Sequence, residues 1–191
     1  PADGGGAKVD DLRGAVAIVT GASKGFGREI ALKLASEGLR VVAAARSEDA
    51  LSALVDEIRA RGGVAAWRRL DVRDPGECSA LVEWAVREMG GLHVLVNNAG
   101  LGYWVPLERT TDDQWRQTME VNVDGTFYMC RAAIEPMRKA GRGHIVNIAS
   151  VLGRRGARNF AAYCASKAAV IALSEALALE ARGSGIQVSV I

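Results

Sequence analysis

The chain has 191 residues, 49% of them hydrophobic and 24% charged, and a formal net charge of +2. That length fits one domain with room for a core, and the balance of apolar and charged residues is that of an ordinary globular protein. So small a net charge gives no reason to expect a nucleic-acid or membrane-surface partner, and no apolar stretch is expected to reach the ~20 residues of a membrane span.

Residues 1–11, which include Gly4-Gly5-Gly6, read as a flexible tail, and residues 12–191 as a single domain. The first patterned run, residues 15–20, is apolar and β-branched without polar alternation, which predicts a strand buried on both faces of a parallel sheet. It continues through Gly21-Ala22-Ser23-Lys24-Gly25-Phe26-Gly27 into residues 25–37, whose apolar spacing predicts a helix closed by Gly38. Glycines in a strand-to-helix turn let backbone N–H groups at a helix N-terminus approach a phosphate. The turn therefore makes Gly21, Ser23, Lys24, Gly25, Phe26 and Gly27 candidate nucleotide contacts, although a tight turn without a ligand would use the same residues.

Further strands are predicted at residues 40–45, 64–70, 92–97, 144–149 and 186–191, with helices over 48–61, 75–89, 112–139 and 160–182. Asp74 before Pro75 is an N-cap followed by proline at the first helical position. Strict βα alternation implies a doubly wound, Rossmann-type α/β fold, a parallel sheet with helices on both faces and a ligand at the carboxyl ends of its strands. His93 and His144 fall in strand runs and read as packing residues. Cys78, Cys130 and Cys164 lack metal-ligand spacing and read as buried thiols of a reducing compartment, so no metal site is expected.

The chemistry concentrates in the last helix. Tyr163 and Lys167 stand four apart and share one helix face. An ammonium beside a phenol favours the phenolate, and a phenol so tuned can give a proton to a carbonyl oxygen or take one from an alcohol. Ser150 supplies a hydroxyl upstream. Taken alone, the pair is equally a half-buried tyrosine beside a solvated lysine.

Together, Thr20-Gly21-x-x-x-Gly25-x-Gly27, Asn97-Asn98-Ala99-Gly100, Asn122, Ser150 and Tyr163-x-x-x-Lys167 resemble the short-chain dehydrogenase/reductase family, in its order and spacing from about Leu12 to Ile191. The overall likeness is to its 3-oxoacyl-carrier-protein reductases. The resemblance implies that Tyr163 is the general acid in reduction and the base in oxidation. Lys167 would tune it and hold the nicotinamide ribose, Ser150 would bond the substrate oxygen, and Asn122 would hold a water linking Lys167 to solvent. It places Asp71 and Val72 at the adenine, and Asn98, Ala99 and Gly100 beside the adenosine ribose. It also implies a cytoplasmic homodimer or homotetramer paired through the helices at 112–139 and 160–182. In the family a turn, a substrate loop with its helix and a last strand follow residue 191, so the domain is expected to be incomplete at its C-terminus.

Cofactor choice is read from the end of the second strand. NAD-selective folds carry an acid about 20 residues past the glycines. Here that position is Ala45, Arg46 follows, and Lys24 adds a second cation, which predicts NADP(H). Glu48 and Asp49 read as first-turn helix acids. Leu101, Tyr103, Trp104, Leu152, Asn159 and Phe160 are candidates for the wall of a largely apolar carbonyl or alcohol substrate. Arg154, Arg155 and Arg158 could attract an acyl thioester or simply be solvated. The rival readings are a nucleotide-binding protein without turnover, an NAD-dependent alcohol dehydrogenase of the same family, and a sugar-nucleotide epimerase or dehydratase.

Overall fold

The structure, a computed structural model, describes residues 12–191. The tail expected over residues 1–11 lies outside them. Six strands, β1 (Val16–Thr20), β2 (Arg40–Ala45), β3 (Val64–Arg69), β4 (Val94–Asn97), β5 (Gly143–Asn147) and β6 (Ile186–Val190), form one sheet in the order β3-β2-β1-β4-β5-β6. Every pairing is parallel. The strand order reverses between β1 and β4, so a crevice opens there at the carboxyl ends of the strands.

The unbroken apolar strands are explained by cover on both faces. Val16 and Ile18 of β1 join one core with Leu81, Leu95, Met129 and Ile145, beneath α3 (Pro75–Met89) and α5 (Gly125–Ala140). Their neighbours Ala17 and Val19 point the other way, into a core with Ala31, Leu54 and Ile58 of α1 (Gly25–Ser36) and α2 (Glu48–Ala60). Side chains alternate across a strand, so a strand with two covered faces needs apolar residues at every position.

Asp74 caps α3 as the sequence suggests, accepting from the Gly76 and Glu77 N–H groups at 2.7 and 3.0 Å. Two expectations need correction. The helix read over residues 112–139 is broken: α4 (Asp112–Met119) gives way to a π turn at Glu120–Asp124 before α5 begins. And α6 (Ala161–Glu180) is long and apolar enough, by length and composition alone, to cross a membrane. It lies against β6, and its Lys167 and Ser174 are buried in the protein.

Candidate active site

The glycine turn is built by close approach. A side chain at Gly27 would run into the Asn98 amide and the Gly21 carbonyl, so α1 can reach the end of β1 only with glycine there. Gly25 has open space around it but a φ of +56°, which glycine adopts without strain. The residues after β4 are stitched to the same place. Thr20 Oγ1 accepts from the Asn98 and Ala99 N–H groups, each at 3.1 Å. Asn98 Nδ2 donates to the Thr20 and Gly21 carbonyls at 3.0 and 3.3 Å. No side chain caps the N-terminus of α1, and no acid lies in its first turn. Its orphan N–H groups and positive dipole end therefore face the crevice free to meet an anion.

That crevice has a volume of about 860 Å³. Gly21, Ser23, Lys24, Gly25, Phe26, Arg46, Asp71, Val72, Asn98, Ala99 and Gly100, all singled out in the sequence, line it. Gly27 lies beneath it, in the helix–strand packing. Sequence reasoning missed Ala44, Ser47, Ala50, Leu70 and Val121 as lining residues; the signal for Ala44, Ser47 and Leu70 was their place at or just past the carboxyl ends of strands. Lys24 and Arg46 are exposed and form no ion pair among the described residues. Asp71 is the one carboxylate lining the crevice, and Arg73 grips it through Nε at 3.0 and 3.2 Å and Nη2 at 2.6 Å. The Arg73 guanidinium holds the Asp71 carboxyl below its ordinary range, against the opposing effect of burial.

At the other end Asn122 and Lys167 converge under Gly100. A methyl group there would stand 3.3 Å from Asn122 Oδ1 and 3.5 Å from Lys167 Nζ. The π turn carries the Asn122 side chain inward, and it is 1% exposed. Single π turns of this kind sit at functional positions in many helices. Asn122 Oδ1 accepts from the Leu101 N–H, and Nδ2 donates to the Leu101 carbonyl, both at 2.8 Å. Nδ2 also donates to Ser166 Oγ at 2.9 Å. The amide thus fastens the segment after β4 to α6.

Lys167 is 4% exposed. Nζ donates to the Ile148 carbonyl at 2.7 Å and lies 5.6 Å from the Tyr163 ring centre. Desolvation pushes its pKa down to about 8. Tyr163 is half-buried, with the edge of Phe160 against its ring at 5.9 Å between centroids. The solvated lysine considered from sequence is therefore excluded, and the pair shares one face of α6. Ser150 ends the segment after β5 and accepts from the Leu152 N–H at 3.2 Å, capping a 3₁₀ turn at Val151–Gly153.

Beneath the site, Asn97 and Asn147 face each other across β4 and β5. Asn97 Nδ2 donates to Asn147 Oδ1 at 2.8 Å and approaches Cys130 Sγ at 3.3 Å; Asn147 Nδ2 donates to Ser174 Oγ at 2.9 Å. Burial pushes the Cys130 thiol up to about 11. The two asparagines of Asn97-Asn98 thus divide their work, the first tying sheet to helices and the second holding the glycine turn. His93 and His144 act in packing as expected. His93 Nδ1 accepts from the Val16 N–H at 3.0 Å, and His144 Nε2 meets Ser189 Oγ at 2.9 Å.

Residues 15–191 match the family model for short chain dehydrogenases. The chain is 39% identical over 175 residues to a cyclohexanol dehydrogenase of Acinetobacter sp. (strain SE19), covering 91% of this chain and 70% of that protein. It is 37% identical over 181 residues to the 3-oxoacyl-[acyl-carrier-protein] reductase of Escherichia coli K12, covering 95% and 73%. Among solved structures it resembles a metagenomic short-chain oxidoreductase in complex with NADP, with a TM-score of 0.90 at 39% identity over 94% of this chain and 81% of that one. It also resembles a short-chain dehydrogenase/reductase from Burkholderia phymatum in complex with NAD, with a TM-score of 0.91 at 37% identity over 94% and 65%. A Rossmann crevice with a glycine turn along it, and a Tyr–Lys pair on α6 beyond the Gly100 that lines it, in a chain with these relatives, is that of a nicotinamide-dependent oxidoreductase of the short-chain dehydrogenase/reductase family.

Proposed function

We propose that the chain is an NADP(H)-dependent carbonyl reductase or alcohol dehydrogenase. The observation that carries the cofactor choice is the charge at the adenosine end. Lys24 and Arg46 line the crevice without partners among the described residues, Ala45 stands where an acid would bond a ribose hydroxyl, and Asp71 is occupied by Arg73. A 2′-phosphate would meet two cations, and each charge-assisted hydrogen bond contributes ~1.5–3 kcal/mol. The uncapped start of α1 suits the pyrophosphate, and Asp71 and Val72 the adenine. Asn98, Ala99 and Gly100 would wall the adenosine ribose.

The crevice residues would hold a nicotinamide cofactor, which would supply hydride chemistry at the substrate carbon. Tyr163 gives the proton to the carbonyl oxygen in reduction and takes it from the alcohol in oxidation. Lys167, held by the Ile148 carbonyl, keeps a positive charge beside the phenol and would hold the ribose hydroxyls. Ser150 Oγ accepts from the Leu152 N–H and keeps its own O–H to donate to the substrate oxygen, steadying the charge that develops there. Asn122 holds the segment at Leu101 and the path by which Lys167 recovers its proton.

The substrate is a small carbonyl compound or secondary alcohol, an acyl thioester being one class, with Arg154, Arg155 and Arg158 exposed nearby to meet its anionic part. The protein works in the cytoplasm as a homodimer or homotetramer through α5 and α6. A second reading, NAD(H) as cofactor, is favoured by the NAD-bound structure among its relatives. The test is kcat/KM for both cofactors in the wild type and in Ala45→Asp/Arg46→Ile, with cyclohexanone, an acetoacetyl thioester and a 3-oxosteroid as substrates. The wild type is expected to prefer NADPH by ~10-fold or more, as one or two such bonds imply, and the double variant to lose that preference. Equal or better use of NADH by the wild type refutes the assignment. Cofactor binding with no turnover of any carbonyl would support a binding protein instead.

A further inference from the structure

The segment after β4 is held at three points. Leu101 is tied through its N–H and carbonyl to the Asn122 amide. The Tyr103 hydroxyl donates to Gln117 Oε1 of α4 at 2.7 Å. The Val105 N–H donates to the Asn159 carbonyl at 2.8 Å. Asn159 is the one non-glycine residue with positive φ, +65°, among the described residues, and it directly precedes Phe160, whose edge meets the Tyr163 ring.

Between these ties lies Gly102. A methyl group on it would stand 2.6 Å from Tyr163 Cδ2, 3.1 Å from Cγ and 3.3 Å from Cβ. Its φ is outside the left-handed region, so backbone conformation does not call for glycine here; space does. Nothing in the proton-transfer chemistry assigned to Tyr163 uses this residue.

We propose that Gly102 is a positioning residue for Tyr163: lacking a side chain, it lets the pinned segment 101–105 lie against the phenol ring and fix its direction. This rests on the reading of Tyr163 as the proton donor. The segment cannot retreat without breaking the bonds at Leu101, Tyr103 or Val105. The Cβ of Tyr163 belongs to the rigid helix α6. A side chain at position 102 is therefore relieved by turning the Tyr163 ring, which moves its hydroxyl relative to Lys167 and the substrate. Phe160 closes the ring from a second direction, so the displacement has few outlets.

The test uses the whole protein carrying 3-fluorotyrosine at its three tyrosines, with the Tyr163 resonance assigned from Tyr163→Phe. In Gly102→Ala and Gly102→Val the Tyr163 fluorine signal is expected to move, more for valine, while Tyr128 stays in place. A displacement of about 1 Å costs on the order of 100-fold in rate. We expect kcat with NADPH to fall about 10-fold in Gly102→Ala and about 100-fold in Gly102→Val, while the Kd for NADPH, read by its fluorescence, stays within about twofold. Gln117→Ala frees Tyr103 and gives the segment room, so combined with Gly102→Ala it is expected to recover part of the lost kcat. An unmoved Tyr163 resonance in Gly102→Ala, or a loss of NADPH affinity equal to the loss of kcat, overturns the proposal. Gly102→Ala carries this test even where valine prevents folding. If Tyr163→Phe keeps its turnover, the proton-donor reading fails, and the fluorine shift still reports whether Gly102 seats the ring.

Discussion

Replacing Lys167 by methionine is expected to raise the thermal stability of the cofactor-free protein while abolishing turnover. An ordinary lysine titrates near 10.4, and burial pushes Lys167 down to about 8. The folded form thus binds this proton less tightly than the unfolded chain. The penalty is complete wherever the group is charged in both states, below about pH 8, and fades as pH rises from about 8 to about 10.4. It corresponds to roughly 3 kcal/mol. Methionine keeps the unbranched apolar stem and removes the charge. Against this gain, the Ile148 carbonyl loses its 2.7 Å donor, which costs about 1–2 kcal/mol. The net gain is about 1–2 kcal/mol at pH 7, or a rise in Tm of about 2–8 °C for a chain of this size. Scanning calorimetry of both proteins at pH 7 and pH 10 reads it, and the gap should narrow at the higher pH, where wild-type Lys167 is neutral. A variant no more stable than wild type at pH 7, or a gap that widens with pH, refutes the argument that an unreleased desolvation cost is stored at Lys167.

Tyr163→Phe should cut kcat by at least ~100-fold, the low end for a positioned acid–base group, with the Kd for NADPH nearly unchanged; retention of more than about a tenth of wild-type kcat contradicts the assigned role. Burial and the nearby Arg142 hold the His93 pKa below its ordinary value, and its Nδ1 must be unprotonated to accept from Val16. Its contribution to stability is therefore complete above the unfolded value near 6.5 and is lost as pH falls below it. Urea unfolding between pH 7.5 and 5 should show this loss, and His93→Gln should flatten the slope; an unchanged slope would assign it to His144, which burial shifts the same way.

The parts of the site that rest on local spacing were legible in the sequence. Gly21, Gly25 and Gly27 announce a strand-to-helix turn because the apolar pattern changes period on either side of them. Tyr163 and Lys167 sit four apart on one helix, so their shared face follows from geometry alone. What stayed hidden depends on which distant segments meet. No local signal breaks residues 112–139 at a π turn, because the bonds that compensate it go from Asn122 to Leu101 and Ser166. The contact between Gly102 and Tyr163 joins two segments that only the sheet brings together. The bond that occupies Ser150 lies within its own turn, where a cap and a catalytic hydroxyl look alike in sequence.

The facing amides of Asn97 and Asn147 also bear on how this sheet finds its alignment. A strand with polar residues on one side and apolar on the other reports a slip at once, because the wrong face turns to water. β4 and β5 have apolar residues on both sides, so a shift by one residue would cost little in buried hydrocarbon. It would, however, part Asn97 from Asn147 and strand their amides in a dry interior, where each unmet polar group costs about 1–3 kcal/mol. One polar rung thus selects among frames that the hydrophobic effect leaves nearly degenerate. The frame it selects sets the heights at which Gly100 and Ser150, three residues beyond each asparagine, leave their strands.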